Sequence, residues 1–186
     1  MGLNAGLTVK NADTSLDVTD TNPIRCLTSF HTLPVISYLH VEGAVFIPED
    51  MPFEIGKGIL LQEGTDVTIV ATGHLVWESL LAAEELEKEG ISCEVINIHT
   101  IKPLDEEIIL KSVEKTGKIV TAEEHNYLGG LGESVAGMLA RKRPTIQEFV
   151  AVNDTFGESA TPAELMKKYK IDSVAVKEAV HRIMSR

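Results

Sequence analysis

Acid, imidazole and glycine meet in one stretch of this chain, Lys118 to Glu133, which reads Lys-Ile-Val-Thr-Ala-Glu-Glu-His-Asn-Tyr-Leu-Gly-Gly-Leu-Gly-Glu. A short apolar strand runs into charged residues at its carboxyl end, then into a glycine-rich turn that opens a helix. Ligands in open α/β sheets gather beyond such strand ends, because helix N-termini and loop side chains converge there. Backbone N–H groups at a helix start can hold an anion, and glycines let the backbone come close. Gly129, Gly130 and Gly132 are therefore candidate anion contacts. Alternation along a strand places Glu123 and His125 on one side and Glu124 on the other. A Glu123 carboxylate orienting the His125 imidazole would make an acid–base pair that titrates near neutrality. Two further turns are expected on the same rim: Thr72-Gly73-His74, and Asn153-Asp154-Thr155-Phe156-Gly157. A plainer reading stands beside each of these. The glycines can simply let a helix pack closely on a sheet, and His74 and His125 can be rim histidines bonded to their neighbours.

Other chemistries find no support. Gly129-Gly130-Leu131-Gly132 is not the dinucleotide fingerprint Gly-x-Gly-x-x-Gly, since Leu131 breaks the register and Val135 stands where a third glycine belongs. Glu123 and His125 are two ligands without a third at metal-binding spacing, so no metal site is expected. There is no Gly-x-Ser-x-Gly elbow and no Walker glycine–lysine loop. A formal net charge of -11 disfavours a polyphosphate partner, so no nucleic-acid role is expected. No uncharged apolar run is long enough to span a bilayer, and the N-terminus lacks the pattern of a secretory signal. Cys26 and Cys93, distant in sequence and at no metal spacing, read as reduced thiols. The expectation is a soluble, cytoplasmic protein without a membrane partner.

The elements that must position these residues follow from periodicity. Residues 1–52 read as an irregular leader or linker, polar from Asn11 to Asn22 and then broken by Pro23, Pro34 and Pro48, with room for short edge strands. Residues 53–186 read as one regular domain. Gly58–Leu61, Asp66–Ala71, Ser92–His99, Lys118–Ala122 and Thr145–Val152 are strand candidates, several of them apolar and β-branched as buried strands are. Between them, helical spacing runs from Leu75 to a stop at Gly90, from Pro103 and Asp105 to Gly117, and from Leu131 to Arg141. Thr161-Pro162-Ala163-Glu164 opens a further helix with an N-cap, a proline at N1 and a glutamate at N3, and Ser173 is expected to cap the last. Alternating strands and helices with short connections make an α/β fold with parallel pairing.

Five segments stand in an order and spacing that resemble one family. They are Glu54-Ile55-Gly56-Lys57-Gly58, Asp66-Val67-Thr68-Ile69-Val70-Ala71-Thr72-Gly73 and Asn97-Ile98-His99-Thr100-Ile101-Lys102-Pro103-Leu104-Asp105. The others are Thr121-Ala122-Glu123-Glu124-His125 with Gly129-Gly130-Leu131-Gly132, and Val152-Asn153-Asp154-Thr155-Phe156-Gly157-Glu158-Ser159. Together they resemble the C-terminal domain of the transketolase family, most of all the C-terminal section of a split bacterial or archaeal transketolase. Where that family usually has glycine after the last motif's serine, this chain has Ala160.

The resemblance implies a three-layer α/β domain whose five-stranded sheet is mostly parallel with one antiparallel edge strand. It also implies a part in two-carbon ketol transfer between sugar phosphates of the pentose phosphate pathway. Thiamine diphosphate and Mg would be held elsewhere in the assembled enzyme, because the family's Gly-Asp-Gly fingerprint is absent here. No catalytic residue would come from this chain. Its implied contributions are a homodimer contact, docking to a thiamine-binding transketolase chain, and substrate-phosphate contacts from Arg25 and His125. Two other readings remain open: a stand-alone anion-binding or regulatory module on the same fold, and a 2-oxo-acid dehydrogenase β-type fragment.

Overall fold

The computed structural model describes residues 53–186 in full and, of residues 1–52, the backbone of four short strands. These are Thr8–Asn11 (β1) paired antiparallel with Thr14–Asp17 (β2), and Leu39–Val41 (β3) paired antiparallel with Ala44–Phe46 (β4). The chain divides into two units, Met1–Phe53 and Glu54–Arg186. Arg25 and Cys26 lie outside the described residues, while the four short strands fall within the expected leader.

The second unit is built on five strands: Ile59–Gln62 (β5), Val67–Ala71 (β6), Cys93–Asn97 (β7), Lys118–Asn126 (β8) and Ile146–Val152 (β9). Their order across the sheet is β5-β7-β6-β8-β9. Only β5 runs antiparallel, against β7; every other pairing is parallel. The expected α/β sheet with one antiparallel edge strand is therefore what the chain forms. All five residues of β6 and all five of β7 are buried, as strands covered by helices on both faces must be.

Helices Leu75–Lys88 (α1) and Ser173–Met184 (α5) pack together against one face of the sheet. Helices Glu106–Thr116 (α2) and Leu131–Lys142 (α3) cover the other. On the α2/α3 side, Val70, Ile96, Ile98, Ile109, Val113, Ile119, Leu131, Val135, Met138 and Leu139 form one apolar core, each at most 2% exposed. Among the described residues no helix is long and apolar enough to cross a membrane.

Helix ends follow local chemistry, with one shift. Asp105 caps α2 by accepting from the Ile108 amide at 3.3 Å, and its other oxygen accepts from the Gly58 amide at 2.9 Å, which ties the approach to β5 down. The capping box opens helix Pro162–Tyr169 (α4) as expected: the Thr161 amide donates to Glu164 Oε2 at 3.0 Å. The last helix is capped one residue earlier than the sequence suggests. Asp172, extended at ψ 177, accepts from the Ala175 amide at 2.9 Å, while Ser173 is already the first helical residue. A carboxylate is an equally good N-cap acceptor, so sequence alone does not choose between the neighbours.

Candidate functional site

The chain leaves β6 through α1 toward β7 and leaves β8 through α3 toward β9, so the connections from these adjacent strands diverge. In open α/β sheets a crevice forms at the carboxyl ends of such a pair. The turns singled out from the sequence meet there. The Thr72 amide donates to the Ala122 carbonyl at 3.1 Å, which joins the Thr72–His74 turn to β8. Asn126 Nδ2 donates to Asp154 Oδ1 at 3.1 Å and the Tyr127 amide to the Val152 carbonyl at 3.0 Å, which join β8 to the turn after β9. Asp154 takes a φ of 44 in that turn, a left-handed conformation that aspartate tolerates better than most residues.

Orientation along β8 departs from simple alternation. The β8–β9 register shifts between Ala122 and Asn126, so one or more residues are out of step with the neighbouring strand. Glu123 keeps the side of Thr121, against the start of α3, and is 2% exposed, while Glu124 and His125 both face solvent. The expected Glu123–His125 pair does not form. His125 Nδ1 instead lies 2.8 Å from the Asn126 carbonyl oxygen.

The glycine turn is occupied from within. Glu123 Oε2 accepts from the Leu131 amide at 2.7 Å and Oε1 from the Gly132 amide at 2.8 Å. The Gly129 amide donates to Glu133 Oε2 at 2.7 Å. The amides of Gly129, Leu131 and Gly132 thus donate to two carboxylates of the chain itself. Both readings of the glycines have some substance, since the turn does hold an anion and does bring α3 close to the sheet. Gly129 sits at φ 76, a region that glycine enters without steric cost.

His74 faces a different acid from any expected. Its Nε2 lies 3.6 Å from Glu78 Oε1, one helical turn along α1. Glu78 Oε2 also accepts from the Ser173 amide at 2.7 Å, which fastens the start of α5 to α1. The hydrogen bond to Glu78 raises the His74 pKa above its ordinary value of 6.5, burial works against it, and the charges of Glu78 and Glu124 add to the rise. Burial pushes Glu78 up, but hydrogen bonds from His74 and Ser173 more than offset this and hold it below 4.5. Glu78 was missed in the sequence; its i,i+4 spacing from a histidine at the helix start was the available signal.

The direction of these shifts sets a pH dependence. The raised His74 contributes stability in full below about pH 6.5, and this is lost as pH rises through its folded-state pKa. The lowered Glu78 contributes above about pH 4.5, lost as pH falls through its folded-state value. Wild type is therefore expected to exceed His74→Gln by about 0.5–1 kcal/mol between pH 5 and 6.5, a gap that closes toward pH 8. Urea unfolding of both proteins across that range measures it; a gap that widens above pH 7 contradicts the pairing.

The remaining candidates carry little chemistry. Burial pushes the Cys93 thiol up to about 12, with the charges of Asp66 and Glu87 adding, so it is a packed side chain and no nucleophile. Among the described residues no three His, Cys, Asp or Glu side chains are grouped to hold a metal ion. Thiamine diphosphate does not fit the rim either. Glu123, Glu124 and Glu133 lie along it, and the α3 amides that would cradle a phosphate already hold a carboxylate.

Comparison with known proteins agrees with this architecture. The family model described as transketolase, C-terminal domain, matches residues 56–176. The 6-deoxy-6-sulfo-D-fructose transketolase subunit of Clostridium sp. MSTE9 is 45% identical over 157 residues, covering 84% of this chain and 49% of that protein. A chain named as a transketolase C-terminal section in Methanocaldococcus jannaschii is 42% identical over 139 residues, 74% of this chain and 43% of that one. A solved structure titled a split gene transketolase, inactive beta4 tetramer, superimposes with a TM-score of 0.72 at 44% identity, covering 75% of this chain and 46% of the other. The chain spans about half the length of the curated relatives it matches. With the family model spanning residues 56–176 and the fold in agreement, this chain belongs to the transketolase C-terminal domain family.

Proposed function

We propose that this chain is the C-terminal section of a thiamine-diphosphate-dependent transketolase and takes part in two-carbon ketol transfer between sugar phosphates only within an assembled enzyme. The observation that carries this is the combination of 45% identity with a transketolase subunit and coverage of only 49% of it. The likeness to a split gene transketolase points the same way. The cofactor and Mg belong to the complementary thiamine-binding chain, where the cofactor supplies the carbon nucleophile for ketol transfer. This chain contributes a subunit contact, cytoplasmic like its partner, through the rim at the carboxyl ends of β6, β8 and β9. His125 is exposed there, Leu128 is 46% exposed and Phe156 is 97% exposed. Arg25 and His125 are the residues proposed to contact a substrate phosphate in the assembled enzyme, Arg25 by bidentate grip.

The second reading is a stand-alone anion-binding or regulatory module on the same fold; that the Leu131 and Gly132 amides already hold the Glu123 carboxylate favours the assembled reading. Two measurements test the assembled reading. Calorimetric titration of the purified chain with thiamine diphosphate and Mg is expected to show no binding, and stoichiometric binding at micromolar affinity would overturn it. Affinity purification from the native host is expected to bring down a thiamine-binding chain, and mixing the two is expected to generate ketol transfer that neither shows alone.

A further inference from the structure

The N-cap residue of α3 is Gly130, which has no side chain with which to cap. Two of the first-turn amides that lack an acceptor within the helix, those of Leu131 and Gly132, receive one from eight and nine residues upstream, the Glu123 carboxylate. Its two oxygens take one amide each, an arrangement that an external carboxylate or phosphate would adopt at a helix N-terminus. Gly130 is what makes room for it: a Cβ there would lie 2.1 Å from Glu123 Oε2 and 2.6 Å from Cδ. The turn between them is held at both ends. Asn126 Oδ1 accepts from the Leu128 amide at 2.9 Å at one end, and Glu123 grips the start of α3 at the other. Gln147 Nε2, reaching over from β9, donates to the Gly132 carbonyl at 3.0 Å and to Thr121 Oγ1 at 3.1 Å. What remains outward on this fastened turn is Leu128, with His125 just before it.

We propose that Glu123 is a positioning residue, a built-in counter-anion at the N-terminus of α3 that holds the Leu128–Gly130 turn in the shape the partner chain meets. The part of this that concerns the partner rests on the assembled-enzyme reading; the part that concerns the anion stands on this chain alone. The site is closed to external anions because the chain supplies its own. Removing the carboxylate leaves two buried donors without an acceptor and a space of about carboxylate size between Gly130 and the amides. Formate carries the same two oxygens and is small enough to enter that space.

The test uses the full chain with Glu123→Ala and Glu123→Gln, with sodium formate as the probe and sodium chloride at equal ionic strength as the control. Glu123→Ala is expected to lower Tm by about 5 °C or more. Formate is expected to restore much of that loss in Glu123→Ala, with no comparable effect on wild type. Glu123→Gln keeps the volume but turns an NH2 toward an N–H donor, so it is expected to be destabilised and not rescued. In the reconstituted complex, Glu123→Ala is expected to weaken partner binding at least about tenfold, and formate to recover it, with kcat of the saturated complex little changed.

Equal formate effects on wild type and Glu123→Ala, or none on the variant, would overturn the counter-anion role. Should Glu123→Ala not fold, faster amide exchange at Leu131 and Gly132 in Glu123→Gln supports the role, and unchanged exchange overturns it. Partner affinity unaffected by Glu123→Ala overturns the positioning role. If wild type itself finds no partner, the assembled-enzyme reading falls along with the positioning role, and the formate measurement still decides the counter-anion.

Discussion

Gly64→Ala is expected to cost about 3 kcal/mol or more, enough to lower Tm by roughly 10 °C in a domain of this size. Gly64 is buried in the turn between β5 and β6, where the chain crosses the start of β7. A Cβ there would stand 2.1 Å from the Cys93 carbonyl carbon, 2.3 Å from the Glu94 nitrogen and 2.4 Å from the Cys93 oxygen. All three are backbone atoms of a central strand, so no rotamer change relieves the overlap. Moving the turn away would also disturb the hydrogen bonds that fix it, from the Thr65 amide at 3.2 Å and the Asp66 amide at 2.9 Å to the Ser92 carbonyl. Glu94, buried at 4% exposure and paired with Lys115, would lose the Gly64 amide at 3.4 Å. Thermal and urea unfolding of the variant measure the cost. A loss below about 1 kcal/mol would mean the turn can move freely, contrary to the packing described.

Gly130→Ala is expected to cost about 2–3 kcal/mol, and the loss is expected to shrink when Glu123 is removed in the same chain. The backbone at Gly130 is ordinary extended chain at φ -95, so the cost is a collision and not backbone strain. The new methyl would meet the Glu123 carboxylate, which must withdraw and release the Leu131 and Gly132 amides. Gly129→Ala is the informative contrast. A Cβ there meets nothing within 4 Å, but φ is 76, so it is expected to cost only about 1 kcal/mol and to be additive with Glu123→Ala. Comparing the three single and two double variants by urea unfolding separates steric from conformational cost. Equal coupling of both glycines to Glu123 would contradict this assignment.

Sequence by itself determined the order and type of the elements from Gly58 onward, and for a physical reason. Runs such as Val67–Ala71 are apolar on both sides, which only a strand covered by two helix layers satisfies, and the helical stretches between them carry one apolar stripe each. Local chemistry also fixed the caps of α2 and α4, because Asp105 and Thr161-Pro162-Ala163-Glu164 act within one turn of chain. The rim was legible as a place, since the carboxyl ends of parallel strands share one edge of the sheet.

What tertiary structure alone decided is which way the rim's side chains face. Strict alternation puts Glu123 and His125 on one side, but across the irregularity between Ala122 and Asn126 Glu123 stays buried on the side of Thr121 while Glu124 and His125 both lie outside. A break of that kind depends on the neighbouring strand, which no local pattern encodes. The same holds for the anion of the glycine turn. Its donors are adjacent in sequence, but its acceptor arrives from β8 across eight residues, and only the folded chain shows that the site is already filled.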